Sequence, residues 1–436
     1  MNGKHAEKND ASAKAKEKKW MVAGAVVLLL VLALVVVYHI VFVKPELPKN
    51  DVTTPKQEQV DVGDGLQPVV DGDRKSEDYY TFLLLGRDTG GGGNCDTMIV
   101  VSYDMTNQKM TLMSIPRDTM VNVPWDVKKI NSVYPHYGAD EDAIEQLKKE
   151  VSQLIGFAPD YTVVVEWEAI GELVDAIGGV WFDVPYEMHY HDPYQDLVID
   201  QAKGYRRLSG DDAMQVIRWR KNDKGGGYTE GDLGRIKTQQ EFLKSVIGQV
   251  LQVKNAFKLY EFSQIFKRNV TTELSIQNLF WLGKGAVLGG LSINDVDFVT
   301  MPGHAVNVWS RLVKNMQSYV VPHSSELLKL VNEELSPFTN TFTLSDLDIM
   351  FVNGDGSIGS TAGYVEDAPA ALAPVIPGDA PTEEDPDAPE DEDPETPGEG
   401  NEGSGGEDPD EPAGEEPVDE GAVYEDWMDE YEDIIW

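Results

Sequence analysis

The chain has 436 residues, with 76 Asp and Glu against 36 Lys and Arg, a formal net charge of −40. That balance disfavours nucleic-acid binding, and a single cysteine, Cys95, excludes an internal disulfide framework. The length permits two or three domains, and an exposed domain without disulfides must rest on a sizeable hydrophobic core.

Residues 1–20 are basic, with Lys4, Lys8, Lys14, Lys16, Lys18 and Lys19. Residues 21–43 are almost wholly apolar. At about 1.5 Å per residue they are long enough to cross a hydrocarbon core of roughly 30 Å. The basic flank keeps the N-terminus cytoplasmic by the positive-inside bias. A cleavable signal peptide would have an apolar stretch of about 7–15 residues and a small-residue cleavage site, and VFVKPELPKN supplies none. The expectation is an uncleaved single-pass anchor in the cell membrane, with everything after Val43 extracellular. Residues 44–77, rich in Pro, Asp, Gly and Gln, read as a spacer.

From Asp78 the pattern changes. YYTFLLLG, TMIVVSYD and KMTLMSIP are short β-rich runs separated by turn signals, as in a sheet buried on both faces. EDAIEQLKKEVSQLIG repeats Ile144, Leu147, Val151, Leu154 and Ile155 at helical spacing. YTVVVEW and GGVWFDVP read as strands, and AIGELVDAIGG as a helix closed by glycine. RIKTQQEFLKSVIGQVLQV, from Arg235, and SIQNLFWLGKGAVL predict further helices. The alternation predicts an α/β domain, layered α-β-α around a central mixed sheet, on a single N-terminal transmembrane helix. This domain spans 78–335 and ends in the helix VVPHSSELLKLVNEEL. Residues 336–365, containing FTLSDLDIMFVNGDG, read as one more strand or an ordered extension. Residues 366–436 hold 28 acidic residues and no Lys or Arg. Such a segment cannot bury enough apolar surface to offset ordering entropy, so the expectation is a disordered acidic tail, with EDWMDEYEDIIW as a possible docking peptide at its end.

Candidate chemistry gathers at strand ends. Asp88 and Asp96 flank Gly90 to Gly93. They could hold one hard divalent cation, Mg²⁺ above all, or simply cap turns, and the local sequence favours neither. Arg117 and Asp118 follow a strand, where ligand sites of open α/β sheets collect. In QVIRWRKNDKGGGYTEGDLGRIKTQQEF, Arg218 and Arg220 sit at i and i+2 of a β-like run and would point the same way. Asp232, Arg235 and Gln239 share a face at the start of a helix. Planar guanidinium forks match phosphate oxygens, and arginines beside an Asp pair resemble the parts of a phosphoryl-transfer site. Surface Arg–carboxylate pairing is the bland alternative. GxSxG, HExxH and GxxxxGK[ST] are absent, and His189 and His191 read as an exposed loop pair.

TLMSIPRDTMVNVP, KINSVYPHYG, YTVVVEWEAIGELVDAIGGVWFDVP, LSGDDAMQVIRWRKND and GDLGRIKTQQEFL, in that order, resemble the LytR–CpsA–Psr family over residues 80–254, and more weakly toward 335. The resemblance implies a membrane-tethered, wall-facing phosphotransferase of mainly Gram-positive bacteria. Such a protein moves a glycopolymer (teichoic acid, capsule or a relative) from a polyprenyl-pyrophosphate carrier to a peptidoglycan hydroxyl, leaving a phosphodiester. Its partners are that lipid-linked glycopolymer, the peptidoglycan acceptor and membrane lipid. The resemblance assigns Mg²⁺ to Asp88 and Asp96, and pyrophosphate binding to Arg117, Arg218, Arg220 and Arg235. Asp232 and Gln239 orient these arginines, Asp118 neighbours the first of them, and Asp88 or Asp118 takes the proton. Two other readings remain: a polyprenyl-pyrophosphate hydrolase, or a non-catalytic lipid-pyrophosphate binder with a regulatory role. One departure stands out, because Asn94 occupies a position where members carry an arginine; Arg87 is a candidate substitute. Cys95, at the usual serine, reads as a small neutral filler with no adjacent histidine to activate it.

Overall fold

The computed structural model describes residues 20–21, 25–48, 68–69, 72–87, 95–193, 197–252, 255 and 258–374. The chain divides into two units, Met1–Asp379 and Ala380–Trp436, the second of which lies outside the described residues. Residues 25–41 form a helix, α1, whose side chains from Val26 to Ile40 are exposed. Among the described residues no helix is long and apolar enough to cross a membrane.

The strands in chain order are β1 Tyr79–Arg87, β2 Cys95–Asp104, β3 Lys109–Ile115, β4 Tyr161–Glu166, β5 Val180–Val184, β6 Met188–Asp192 and β7 Leu197–Gln201. They continue as β8 Gly204–Leu208, β9 Val270–Thr272, β10 Val296–Thr300, β11 Gly303–Ser310, β12 Asn315–Pro322, β13 Met350–Val352 and β14 Ile358–Ser360. The helices after α1 are α2 Val133–His136, α3 Glu141–Ile155, α4 Trp167–Ile177, α5 Gly210–Arg218, α6 Asp232–Val250, α7 Leu259–Asn269, α8 Ile276–Gly289 and α9 Ser324–Leu330.

Six strands form the central sheet in the order β10-β3-β2-β1-β4-β9. β1 pairs β4 and β3 pairs β10 in parallel, while β1–β2, β2–β3 and β4–β9 are antiparallel, so the sheet is mixed. Its apolar runs follow from covering on both faces. Leu83, Leu85, Met98, Val100, Met113 and Ile115 pack against α3 and the α9 region. The alternate residues Phe82, Leu84, Ile99, Val101 and Leu112 pack against Leu243 and Ile247 of α6 and Ala286 of α8. Side chains one apart point to opposite faces of a strand, and this alternation builds the three α-β-α layers.

Local signals define the elements. Asp140 caps α3 by accepting from the Ala143 amide at 3.1 Å, and Gly156 closes that helix at φ 80°. Its neighbours Leu347 and Phe342 leave no room for a Cβ. A capping box of Ser209 and Asp212 starts α5. A smaller lobe, β5–β8 and β6–β7 with α4 and α5, has its own core around Trp219, Phe182 and Val216, and shares α6 through Phe242 and Val246.

Several boundaries differ from the sequence reading. VVP of the expected terminal helix ends strand β12, and α9 runs on into a π-helical turn, Val331–Leu335. The extension at 336–365 holds the small β13–β14 pair. The described residues run past Glu366 to residue 374, and among them Asp367 is buried and paired with Lys128 and Arg311. An acidic residue with two cationic partners belongs to the core edge rather than to a solvated tail.

Candidate active site

The sheet's topology explains why distant polar residues meet. β1, β3, β4 and β10 all end on one edge, and β2, running the other way, starts there. That edge therefore collects Arg87, Asp96, Arg117 and Glu166 in a single row.

Arg117 follows β3 across Pro116. Its Nη1 lies 3.5 Å from Asp96 Oδ2, and its Nε lies 3.9 Å from both Asp118 Oδ2 and Asp232 Oδ1. Those last two separations are too long for hydrogen bonds. Asp118 is also held by Lys129 at 2.9 Å. From the other side comes α6, entered through Gly231 at φ 57°, a conformation that side-chain-bearing residues rarely adopt. Arg235, 7% exposed, binds Asp232 one turn earlier at 2.5 Å. The Nε atoms of Arg117 and Arg235 are both buried and make no hydrogen bond among the described residues. Buried donors without acceptors are costly, and anionic oxygens are the acceptors that suit them best.

Arg220 joins the same electrostatic group. It keeps more than a third of its surface open, yet crowding around its head group lowers its pKa. Repulsion from Arg117 and Arg235 adds to the shift, against the pull of Asp96 and Asp232. Arg117, Arg220 and Arg235 thus share one electrostatic neighbourhood with Asp96 and Asp232.

Two adjacent glutamines position α6. Gln239 Nε2 donates to the Ile217 carbonyl at 3.1 Å, tying α6 to the end of α5. Gln240 Nε2 contacts Ser114 Oγ at 2.9 Å and the Val299 carbonyl at 3.1 Å, tying it to the ends of β3 and β10. The sequence reading missed Gln240. Its only signal was a second amide beside Gln239 in a helix otherwise rich in apolar contacts.

One expected arrangement is corrected. Arg218 is the last residue of helix α5, and Arg220 follows across the extended Trp219, so the two do not share the face of a strand. Trp219, 1% exposed, occupies the small-lobe core and pins the crossing between them. Asp88, Gly90 to Gly93 and Asn94 lie outside the described residues; their flanks Arg87 and Cys95 pair antiparallel, so this stretch joins two neighbouring strands. Arg87 is engaged elsewhere: its Nε donates to Glu166 at 2.9 Å, its Nη2 to the same oxygen, and its Nη1 to Tyr134 at 3.3 Å. Cys95 is buried, and burial pushes its thiol up to about 12. His189 and His191 sit on strand β6 rather than in a loop, both exposed. Among the described residues no group of three or more His, Cys, Asp or Glu is arranged to hold a metal ion.

Residues 37–334 match the family model described as the LytR_cpsA_psr family. Regulatory protein MsrR of Staphylococcus aureus (strain COL) is 28% identical over 233 residues, 52% of this chain and 66% of that protein. The polyisoprenyl-teichoic acid–peptidoglycan teichoic acid transferase TagV of Bacillus subtilis (strain 168) is 28% identical over 277 residues, 61% of this chain and 65% of that one. The crystal structure of B. subtilis TagV superposes with a TM-score of 0.49 at 24% identity, covering 61% of this chain and 100% of that one. The match thus spans just under two thirds of the length of these curated relatives.

Proposed function

We propose, for a chain that belongs to the LytR_cpsA_psr family, a membrane-anchored phosphotransferase that moves a glycopolymer from a polyprenyl-pyrophosphate carrier to a peptidoglycan hydroxyl. The observation that carries this reading is the pair of buried Nε donors on Arg117 and Arg235, without a hydrogen-bond acceptor among the described residues, beside Arg220. Clustered guanidinium donors suit a pyrophosphate better than any neutral ligand. The relative TagV is a teichoic acid transferase that acts on peptidoglycan, which agrees with it.

In this mechanism the acceptor hydroxyl attacks the sugar-linked phosphorus. The bond to the polyprenyl phosphate breaks as the new phosphodiester forms, and the hydroxyl proton passes to a carboxylate of the site, Asp88 or Asp118. Arg117, Arg220 and Arg235 stabilise the charge that spreads over the non-bridging oxygens. Arg218 follows the same assignment by family resemblance, and Gln239 orients the segment that carries Arg220. Carboxylate is the hard donor chemistry that Mg²⁺ requires, and Asp96 presents one, partly exposed, at the sheet edge. Asp96 with Asp88 would hold the cation, which when bound neutralises phosphate charge. The anchor, residues 21–43, keeps the site within reach of the lipid headgroup.

The test is Arg117→Ala in a transfer assay with lipid-linked polymer and peptidoglycan. A loss of about 100-fold or more is expected, as for removal of one preorganised donor. Wild-type transfer by the variant sinks the proposal. Phosphate release without any acceptor sugar replaces the transferase with a hydrolase.

A further inference from the structure

Between β5, β8 and α6 lies a cleft of about 470 Å³. One wall is the exposed face of β5–β8. There Trp181 and Tyr205 lie on the same face of the two-stranded sheet with ring centroids 5.5 Å apart and planes at 21°. Both rings are open, 51% and 70% exposed. Lys237 and Glu241 of α6, Glu230 from the preceding loop and Asp183 from β5 line it as well. Gly234, next to Arg235 in sequence, lets α6 pack directly on Tyr228, since a Cβ there would come within 2.8 Å of that side chain. The cleft and Arg235 therefore share the first turns of one helix.

The lining defines its ligand by elimination. Three carboxylates, Asp183, Glu230 and Glu241, outnumber the one lysine, Lys237, so the lining repels phosphates and other anions. The same carboxylates interrupt the aromatic surface too closely for an acyl or prenyl chain. What fits is a molecule with apolar faces and hydroxyl donors together, because exposed aromatic area gains from being covered and carboxylates gain from O–H donors. A pyranose ring has that construction. We propose that this cleft is a saccharide subsite, which stacks an uncharged glycan strand on Trp181 and Tyr205. This rests on the transferase reading and identifies the acceptor side of it, since a phosphate-bearing polymer meets repulsion here.

The test uses full-length protein in detergent micelles with two soluble probes, a β-1,4-linked N-acetylhexosamine tetrasaccharide and inorganic pyrophosphate, each titrated by calorimetry. The double variant Trp181→Ala/Tyr205→Ala is expected to lose about tenfold or more in tetrasaccharide affinity with pyrophosphate binding unchanged, which also reports an intact fold. Trp181→Phe/Tyr205→Phe retains tetrasaccharide binding if stacking is the cause. Arg117→Ala shows the reverse pattern, weakening pyrophosphate alone. Absence of tetrasaccharide binding by the wild type, equal binding by the alanine variant, or loss in the phenylalanine variant each overturns the subsite. Failure of wild-type pyrophosphate binding instead strikes the transferase reading and leaves the saccharide result to be judged by itself.

Discussion

Asp232 Oδ1 lies 2.5 Å from Arg235 Nη2 and 3.9 Å from Arg117 Nε, so one carboxylate oxygen stands between the buried Arg235 and the half-buried Arg117. It fixes the first and partly screens the second. Asp232→Asn keeps the shape but removes the charge, and the arginines then repel. A drop in transfer of about 100-fold is expected, the usual cost of displaced catalytic groups, with an unchanged circular dichroism spectrum. Full activity in this variant refutes the positioning role.

Lys128, 1% exposed, has Asp367 at 3.5 Å and donates to the Trp125 carbonyl at 3.1 Å. Burial lowers its pKa, against the pull of Asp367. Removing one partner of a buried pair costs about 3–5 kcal/mol. A chain ending at Val365 should therefore unfold at lower urea than one ending at Pro374. Coincident urea curves for the two would return Asp367 to a solvated tail.

Asp126 accepts from Arg311 Nε at 2.8 Å, from the Arg311 and Leu312 amides at 3.2 and 3.1 Å, and from Ser310. Burial opposes its ionisation, but these donors outweigh it and hold the carboxyl below its ordinary 3.8. Its folded pKa is depressed, so the stabilisation is full above the unfolded value and is lost as pH falls through the folded one. Asp126→Asn is expected to cost about 1.5–3 kcal/mol at pH 7, and the gap to wild type narrows below pH 3.8. An equal gap at pH 7 and pH 3 contradicts this origin.

Cys95 is 2% exposed with its thiol pushed up to about 12, so at neutral pH it is neither ionised nor accessible. Iodoacetamide at pH 7.5 should label the unfolded chain and spare the native one. Rapid native labelling, read by intact mass, would restore Cys95 as a reactive group.

Much of the scaffold was legible because its causes are local. The alternation of Leu83 and Leu85 with Phe82 and Leu84 announces a sheet covered on both faces, and Gly156 and Gly178 announce helix ends. Arg117 at the end of a strand and Arg235 at the start of a helix were readable for the same reason. The misreadings arose where tertiary contacts override local pattern. VIRWR looks like a strand, but the Ser209–Asp212 box starts a helix upstream and burial of Trp219 ends it. Composition placed Asp367 in a tail, although Lys128 and Arg311 fix it in the fold.

By itself, then, the sequence determined the layers, the family and the inventory of charged groups, since periodicity, capping and motif order all act within a few residues. Tertiary structure alone decided which charges meet. Arg117 faces Asp232 because Leu243 and Ile247 pack α6 on the sheet and Gln240 bonds it to the ends of β3 and β10, and Trp181 and Tyr205 stack because β5 pairs with β8. Such pairings depend on the closing of long loops around a common core, and no short stretch of chain encodes that closure.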